Sequence, residues 1–357
     1  MRPILIKNFS YHFVKTRVAE RISDRRNVMK LKQTLGKIWN LLKERPICLM
    51  VIGYLIACMF FAPTFFTGRN ISSYLVQCTD TILFSIGLMF VTLNGGIDFS
   101  SAAMIGFGSL LVAWITNTEN GWMNGSPLAI PVAVVAVLVL CVTVNVINGF
   151  AVVKLKLPSF IATMATNMIF MGIALTLSMS STIANLPASF SGFAKGKLFG
   201  VIPNLVIVTA IAIAAASLIL NRMEFGRRAT AVGSNPTAAN ISGLPVKPTI
   251  MQLFILNGIF VGIAVLMTTS RLGVGKAGLG ENRVMDFVAA VVIGGTSCSG
   301  GSATVLGTVL GAMFITLINN SLSMLGWNSN VIMIIKGTLI LVMALVDAYR
   351  IRTEQSR

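Results

Sequence analysis

The sequence "NGGIDFSS", residues 94–101, lies between the apolar runs "ILFSIGLMFVTL" and "AAMIGFGSLLVAWI". A charge isolated within hydrocarbon costs at least a few kcal/mol, so the carboxylate of Asp98 needs an explanation. Gly95 and Gly96 interrupt a helix here, and the break frees backbone groups that need partners inside the protein or in a polar cavity. We therefore predict a broken membrane helix in which Asp98 accepts hydrogen bonds from freed N–H groups or caps the following helix.

The composition is that of an integral membrane protein with several spans. Of the 357 residues, 55% are hydrophobic and only 11% are charged, whereas soluble domains carry about 25% charged residues. No polar stretch is long enough to form a separate soluble domain. The predicted fold class is therefore all-α, a polytopic membrane protein.

Apolar runs of spanning length set the number of predicted helices, because a span needs roughly 20 residues. Two runs, 102–118 and 284–300, are short and are interrupted by glycine on one side, which is typical of broken or half-membrane helices. We predict about ten transmembrane helices with broken Gly-rich segments, and eight as the lower limit. The ten runs are 47–66, 74–93, 102–118, 128–150, 159–180, 201–221, 248–270, 284–300, 302–326 and 330–349.

The net charge of +17 suggests nucleic-acid binding, but the distribution of basic residues argues against it. Twelve of the 28 basic residues lie in the first 46 positions, and others flank the apolar runs. Such a bias sets membrane orientation by the positive-inside rule. We predict a basic cytoplasmic tail (1–46), a transmembrane domain (47–350) with a cytoplasmic loop (222–247), and a cytoplasmic C-terminal tail (351–357). A partner-binding or lipid-binding arm is the alternative interpretation of the basic tail.

The chain lacks the motifs of an enzyme. Its only histidine, His12, lies in the basic tail, and its five cysteines show no CxxC pairing, so neither histidine catalysis nor a metal site is expected. The sequence "GVGKAG" (273–278) matches GxGxxG formally, but it lies between two spans rather than in a strand–turn–helix unit. No GxxxxGK[ST] motif is present, so we predict that this chain binds no cofactor and does not hydrolyse ATP itself.

Two stretches of the sequence resemble each other. "GGIDFSSAAMIGFGSLL" (95–111) and "GGTSCSGGSATVLGTVL" (294–310) both follow an apolar run, break it with a Gly pair and continue into another apolar run. In transporters, Gly-interrupted segments at corresponding positions of internal repeats mark the substrate region. Alternatively, the small residues only allow helices to pack closely.

The longest polar loop contains a predicted short helix. In "NPTAANISGL", Asn235 is a good N-cap and Pro236 suits the first helical position, while Gly243 suits a helix end. We predict a helix over about 236–242 on the cytoplasmic face, whose exposed small side chains suit docking into a groove on a partner. An ordinary helical connector is the alternative.

Four segments, in order over about residues 50–350, resemble the ribose-type sugar ABC importer permease family. They are "GGIDFS", "LPSFIATMATNMIFMG" (157–172), "EFGRRATAVGSNPTAANISGLPV" and "VAAVVIGGTSCSGG" (288–301). The sequence departs from the family pattern at Ser101-Ala102, Val284 and Ser302-Ala303, near the expected substrate region, so the resemblance does not specify D-ribose as the substrate.

The resemblance implies a function and a set of partners. Members of that family are permease subunits in a bacterial inner membrane that pair with cytoplasmic ATPase subunits, which hydrolyse the ATP. They receive sugar from a periplasmic binding protein. We expect this chain to act in the same way, as a dimer with itself or with a similar permease, with its N-terminus in the cytoplasm and without nucleic acid.

Candidate site residues fall into two groups. Polar side chains at the breaks and in a neighbouring span suit a polyhydroxylated solute, because carboxylate, amide and hydroxyl groups bind sugar hydroxyls. The substrate-pathway candidates are Asn94, Asp98, Ser100, Thr163, Asn167, Thr296, Ser297 and Ser299. The ATPase-coupling candidates are Gly226, Arg227, Arg228, Asn235, Ala238, Ala239 and Gly243. Lys336, in the last apolar run, is expected to extend outward to the membrane surface.

Other functions are compatible with the sequence. The same type of permease can carry a nucleoside or a branched-chain amino acid. A proton- or ion-coupled secondary transporter would use Asp98 as its relay. A membrane protein without transport activity is a third possibility.

Overall fold

The computed structural model describes residues 46–338 and 341–342. The chain divides into two units, residues 1–55 and 56–357. The first unit contributes only the beginning of one helix to the described residues. Apart from its last residue, the predicted tail 1–46 lies outside them, as does the tail 351–357, so these predictions stay untested.

Helices make up nearly all of the regular secondary structure in the described residues. Two short 3₁₀ segments, Pro63–Phe66 and Ala277–Gly280, lie between helices. The helices are α1 Pro46–Phe61, α2 Gly68–Thr92, α3 Ser101–Thr116, α4 Ala129–Val153, α5 Ser159–Ser178, α6 Ala188–Lys195, α7 Asn204–Asn221, α8 Glu224–Ser234, α9 Pro236–Ile241, α10 Val246–Leu272, α11 Val284–Ile293, α12 Val305–Met324 and α13 over 329–338.

The prediction of an all-α polytopic membrane protein is confirmed. Among the described residues, β1 (Lys197–Leu198) and β2 (Ile202–Pro203) form one two-residue antiparallel hairpin. Six helices, α2, α4, α5, α7, α10 and α12, are long and apolar enough to span a membrane, and α1 and α3 are shorter apolar helices. The two runs predicted to be short form α3, of 16 residues, and α11, of 10 residues. The run 330–349 lies partly outside the described residues.

Helices α2 and α10 lie at the centre of the bundle. Every residue of α2 from Cys78 to Thr92 is buried, and α10 packs along both α2 and α4. Helices α4, α5 and α7 instead expose large apolar side chains, such as Val135, Met168 and Ile211. In a membrane protein such apolar faces contact lipid, so these three helices lie on the periphery of the bundle.

One glycine of "GVGKAG", Gly275, and Gly280 just after it allow close packing: a methyl on Gly275 would lie 2.7 Å from the Ser109 carbonyl oxygen. A methyl group on Gly280 would lie 2.0 Å from the carbonyl oxygen of Ala102, and one on Gly106 would lie 1.8 Å from that of Ala277. The 3₁₀ segment Ala277–Gly280 therefore lies directly against the backbone of α3. This contact explains the glycine-rich connection without a nucleotide.

Both helix breaks begin with the same turn. At the end of α2, the N–H of Gly95 donates to the carbonyl of Thr92 at 2.8 Å and the N–H of Gly96 donates to Val91 at 3.2 Å. Gly95 has φ +73°, a left-handed conformation that glycine adopts without a steric penalty. This is the Schellman arrangement that ends many helices.

At the end of α11 the same turn occurs, one residue later relative to the Gly pair than at the end of α2. Gly295 donates to Val292 at 2.9 Å and Thr296 donates to Val291 at 3.2 Å, and Gly295 has φ +83°. The likeness between 95–111 and 294–310 is therefore a likeness of structure. Each segment ends a helix, crosses an irregular stretch and starts the next helix.

The short helix predicted over about 236–242 is confirmed as α9, which ends at Ile241. The Asn235 side chain accepts a hydrogen bond from the Ala238 N–H at 2.9 Å, and Gly243 has φ +79°. The preceding helix α8 was not predicted from the sequence.

Candidate functional site

The two helix breaks touch each other through backbone atoms. The N–H of Gly301 donates to the carbonyl oxygen of Leu93 at 2.8 Å. A methyl group on Gly300 would lie 2.9 Å from the nitrogen of Gly95, and a methyl on Gly95 would lie 3.3 Å from the carbonyl oxygen of Ser299. Side chains larger than hydrogen would separate the breaks at these positions. This contact agrees with both interpretations of the repeat, a substrate region and close helix packing, because the glycines bring the two break segments together.

The end of α8 lies against this junction. A methyl group on Gly233 would lie 2.0 Å from the Leu93 carbonyl oxygen and 2.9 Å from the Gly301 nitrogen. A methyl on Gly301 would lie 2.4 Å from the hydroxyl of Ser234. The last turn of α8 is therefore packed directly on both breaks. No side chain lies between the backbones, so a movement of α8 must move the breaks as well.

Asp98 holds the first break together. It is 1% exposed, and its Oδ1 accepts from the Ser100 N–H at 2.8 Å and from the Ser100 hydroxyl at 2.6 Å. Its Oδ2 accepts from the Ser101 hydroxyl at 2.8 Å and from the Asn257 amide at 2.6 Å. Four donors on two oxygens offset the desolvation of a buried acidic group. The prediction that Asp98 accepts a hydrogen bond from a freed backbone N–H is confirmed, whereas the N-cap of the following helix is Ser100.

The other freed backbone groups find their partners on α5. The N–H of Ile97 donates to the Ser159 hydroxyl at 3.1 Å, and that of Phe99 donates to the Thr163 hydroxyl at 3.1 Å. One turn further on, the Ala103 N–H donates to Asn167 Oδ1 at 3.0 Å. Thr163 and Asn167 are thus engaged in holding the irregular stretch.

A belt of buried amides joins this stretch to the neighbouring helices. The Asn257 amide donates to Asn145 Oδ1 at 2.8 Å as well as to Asp98. Asn148 donates to the Ser100 hydroxyl at 3.0 Å and accepts from Thr166 at 2.7 Å. Side chains of α4, α5 and α10 therefore fix the position of Asp98.

The remaining pathway candidates gather at the junction of the breaks. Asn94 is half-buried, and its Oδ1 has no hydrogen-bond partner. Thr296 is buried with an unpartnered hydroxyl. The Ser299 N–H donates to the Ser297 hydroxyl at 3.2 Å. The structure thus brings the two groups of break residues together, although nothing in it tests contact with a solute.

A cavity with several polar lining residues lies elsewhere, between α2, α11, α12 and α13. Its volume is about 810 Å³, within the range of small-molecule sites, about 300–1,000 Å³. Its lining includes the amides Gln77, Asn282, Asn319 and Asn320. Gln77 lines the cavity and Leu93 belongs to the junction. Along the axis of α2 these two residues are about 24 Å apart, at 1.5 Å per residue. The cavity is therefore far from the junction, and none of the pathway candidates lines it.

The cavity contains an ion pair that corrects one expectation. Lys336 Nζ lies 2.7 Å from Asp286 Oδ1, so it points into the cavity rather than outward to the membrane surface. Asn319 donates to Asp286 Oδ2 at 3.2 Å. Pairing with Asp286 removes the cost of a lone charge in the membrane.

Sequence reasoning missed a second charged cluster. Asp80, in the centre of α2, is fully buried and forms an ion pair with Arg271, and Arg283 lies 3.8 Å from the same carboxylate oxygen. The signal was present, because an acidic residue inside an apolar run needs a basic partner or several hydrogen-bond donors. Arg271 and Arg283 flank the connection between α10 and α11. Which basic residue reaches Asp80 depends on how these helices pack against α2.

The ATPase-coupling candidates divide into exposed and buried residues. Arg227 and Ala238 are exposed, and the half-buried Arg228 lies over the Phe225 ring at 5.9 Å. The expectation of exposed small side chains is wrong for Ala239, which is only 5% exposed. Gly226, in α8, is buried as well, and a methyl there would lie 2.0 Å from the Leu220 carbonyl oxygen. These two residues pack within the chain and leave no surface for a partner.

An exposed apolar residue marks the surface of this segment instead. Ile241, at the end of α9, is 82% exposed. Asn235, at the other end of α9, is its N-cap, and Gly243 follows its last turn with a left-handed conformation, so both have the predicted local roles. A large apolar side chain on a polar loop is a better docking residue than a small one, because it has more area to bury.

The features described so far define a class of protein. Two matching broken helices that meet inside a multi-spanning helical bundle are typical of membrane permeases. The chain belongs to the family described as branched-chain amino acid transport system / permease component, whose model matches residues 70–344.

Curated relatives extend over most of the chain. It is 34% identical over 287 residues to the ribose import permease protein RbsC of Bacillus subtilis (strain 168), covering 80% of this chain and 86% of the relative. It is 30% identical over 319 residues to the galactose/methyl galactoside import permease protein MglC of Escherichia coli (strain K12), covering 87% and 95%. It is 29% identical to the xylose transport system permease protein XylH of Haemophilus influenzae, covering 84% and 95%. No solved structure is significantly similar to the chain.

Proposed function

We propose that this chain is the permease subunit of an ABC importer that carries a monosaccharide or a related polyol-like solute. The observation that carries the proposal is the contact of Gly233 with both helix breaks. A permease without its own nucleotide site must receive mechanical work through such a contact. The solute class is supported by relatives named for ribose, galactose and xylose.

The proposed partners follow from this role. Two cytoplasmic ATPase subunits would bind and hydrolyse ATP, a periplasmic binding protein would deliver the sugar, and a second permease copy would complete the complex. Closure of the ATPase pair would displace α8 and α9, and with them the junction of the breaks. Access then alternates because ATP binds the two states of the complex with different affinities.

The proposed location is the bacterial inner membrane, with the N-terminus in the cytoplasm. The support is the crowding of basic residues in 1–46 and in the loop 222–247, which the positive-inside rule assigns to the cytoplasm. Because α8 carries Arg227 and Arg228 and touches the junction, this orientation places the junction at the cytoplasmic end and the cavity toward the periplasm.

The alternatives have less support. The family description names branched-chain amino acids, but the relatives described above are named for sugars. For a proton-coupled transporter, Asp98 would have to exchange protons with water. Its four hydrogen bonds within the bundle and its burial favour a structural role instead.

Uptake measurements test the proposal. The chain is produced with its ATPase and binding protein in cells that lack other importers of D-ribose, D-galactose and D-xylose. We expect ATP-dependent uptake of at least one of these sugars and none in cells without the ATPase. Uptake that is abolished by a protonophore while ATP is maintained would contradict the proposal.

A further inference from the structure

We propose that the cavity between α2, α11, α12 and α13 is a binding site for a neutral polyhydroxylated solute, held by Asp286, Asn319 and Lys336. The inference rests on the proposed function and adds to it the place where the solute binds within the permease. None of the residues predicted from the sequence as pathway candidates belongs to this site.

The three side chains form a prepared set of donors and acceptors. Asp286 Oδ1 accepts a hydrogen bond from the Lys336 ammonium at 2.7 Å, and its Oδ2 accepts one from the Asn319 amide at 3.2 Å. A carboxylate has about four lone-pair positions, so each oxygen can accept another hydrogen bond. The Lys336 ammonium has further protons, and the Asn319 carbonyl oxygen is an additional acceptor. Adjacent sugar hydroxyls, each a donor and an acceptor, complement this set.

The accessibility of the pair suits a binding site. The side chains of Lys336 and Asp286 are 16% and 14% exposed, and both line the cavity. They are thus shielded from bulk solvent, where water would compete, yet are open to a molecule inside the cavity. Electrostatic interactions are stronger in such an environment than at a free surface.

The charge of the cavity favours a neutral solute. Its lining contains two acidic residues, Glu281 and Asp286, and two basic residues, Arg283 and Lys336, which cancel. Arg283 is also occupied, because it lies near Asp80 and over the Phe287 ring at 5.6 Å. The closed pair of Asp286 and Lys336 carries no net charge to attract an ion, whereas its remaining donor and acceptor positions match neutral hydroxyl groups.

The site is connected to the helix break by one short helix. Asp286 lies in the first turn of α11, which ends at the Gly294–Gly295 turn. The distance along that helix from Asp286 to Gly294 is about 12 Å. A solute that moves Asp286 along the helix axis therefore moves the second break, which contacts α8. Binding in the cavity and motion at the docking segment are thereby linked.

Two kinds of measurement on the complete transporter test the site. In uptake of the transported sugar, Asn319→Leu and Asp286→Asn should each lower the rate by about tenfold or more, as for the loss of a hydrogen bond to a charged group. Glu119→Gln, on an exposed connection away from the cavity, is the matched control and should leave uptake unchanged. Membrane levels of each variant are measured in parallel.

Thiol labelling detects occupancy without transport. Ser323→Cys lines the cavity and should react with a membrane-impermeant maleimide added outside, above the background given by the parent cysteines. D-ribose, D-galactose or D-xylose, whichever is transported, should slow this reaction about threefold at a concentration of twice its Kd. Thr118→Cys, exposed and outside the cavity, should react at the same rate with and without sugar.

The outcomes separate this inference from the proposed function. If no sugar is taken up by the parent chain, the proposed function fails. If sugar is taken up but Ser323→Cys is unreactive from outside, or is not protected by that sugar, the site proposal is overturned. Protection by L-leucine without protection by sugar would overturn it as well, and would identify a site for a zwitterion.

Discussion

Leu93 and Gly301 join the two helix breaks by a single backbone hydrogen bond of 2.8 Å. Each residue lies in an irregular stretch where the helix cannot supply a partner, so each break satisfies one polar group of the other. Gly233 of α8 lies against the same carbonyl group. Three segments that are far apart in the sequence therefore share one contact, and a shift in any of them must change the other two.

Replacement of Gly233 by alanine should uncouple the permease. The added methyl would lie 2.0 Å from the Leu93 carbonyl oxygen, an overlap of the kind that costs about 1–3 kcal/mol. We expect a lower thermal stability in detergent and loss of sugar-stimulated ATP hydrolysis. Gly172→Ala is the matched control, because open space surrounds that helical glycine. Normal coupling in the Gly233→Ala protein would show that the junction tolerates separation.

Changes at Asp98 should distinguish a structural from a proton-relay role. Asp98→Leu leaves the Ser100 N–H, two hydroxyls and the Asn257 amide without their acceptor, at about 1–3 kcal/mol for each buried group. We expect little folded protein in the membrane. Asp98→Asn retains one acceptor oxygen and should keep part of the uptake. A stable, fully active leucine variant would refute the structural role, and an asparagine variant that loses only proton-dependent uptake would favour the relay.

Substitutions in α9 should separate docking from internal packing. Ile241→Asp places a charge on a side chain that is 82% exposed, so we expect normal membrane levels but weaker co-purification with the ATPase. Ile241→Leu keeps the apolar area and should bind normally. Ala239→Trp should instead reduce the amount of folded protein, because Ala239 is buried within the chain. If Ile241→Asp retains its ATPase and full uptake, α9 is not the docking surface.

Single cysteines test the orientation. Ser10→Cys in the basic tail and Arg227→Cys on the exposed face of α8 should resist an impermeant thiol reagent in intact cells, because basic residues remain in the cytoplasm. Thr118→Cys should react. Permeabilised cells provide the control that each site is reactive once reached. Labelling of Arg227→Cys from outside would reverse the topology and would place the cavity at the cytoplasmic end.

The buried pair of Asp80 and Arg271 should contribute strongly to stability. Asp80→Asn leaves the Arg271 guanidinium without its counter-charge, and removal of one partner of a buried pair typically costs about 3–5 kcal/mol. We expect a clear fall in the thermal unfolding temperature in detergent. Arg283→Gln should have a smaller effect, because Arg283 lies 3.8 Å from the carboxylate. Equal effects of the two substitutions would indicate that both arginines share the charge.

Much of the fold could be predicted from the sequence because its signals are local. An apolar run of sufficient length must become a helix in lipid, since no other partner exists for its backbone groups. Gly95 and Gly295 end helices in a left-handed conformation, which glycine adopts without steric cost because it has no Cβ atom. Asn235 and Gly243 define α9 by the same kind of local chemistry. Helix α8 was missed although its sequence is strongly amphipathic, because Gly226 and Gly233 lower its intrinsic helix propensity.

What the sequence determined by itself is the class of protein, the helix breaks and the chemistry available at each position. Only the tertiary structure decided which positions meet: Leu93 with Gly301, Asp80 with Arg271, and Asp286 with Lys336. It also decided that Ala239 is buried and Ile241 exposed. The physical reason is that backbone conformation follows from neighbouring residues, whereas long-range contact and burial depend on how all the helices pack together.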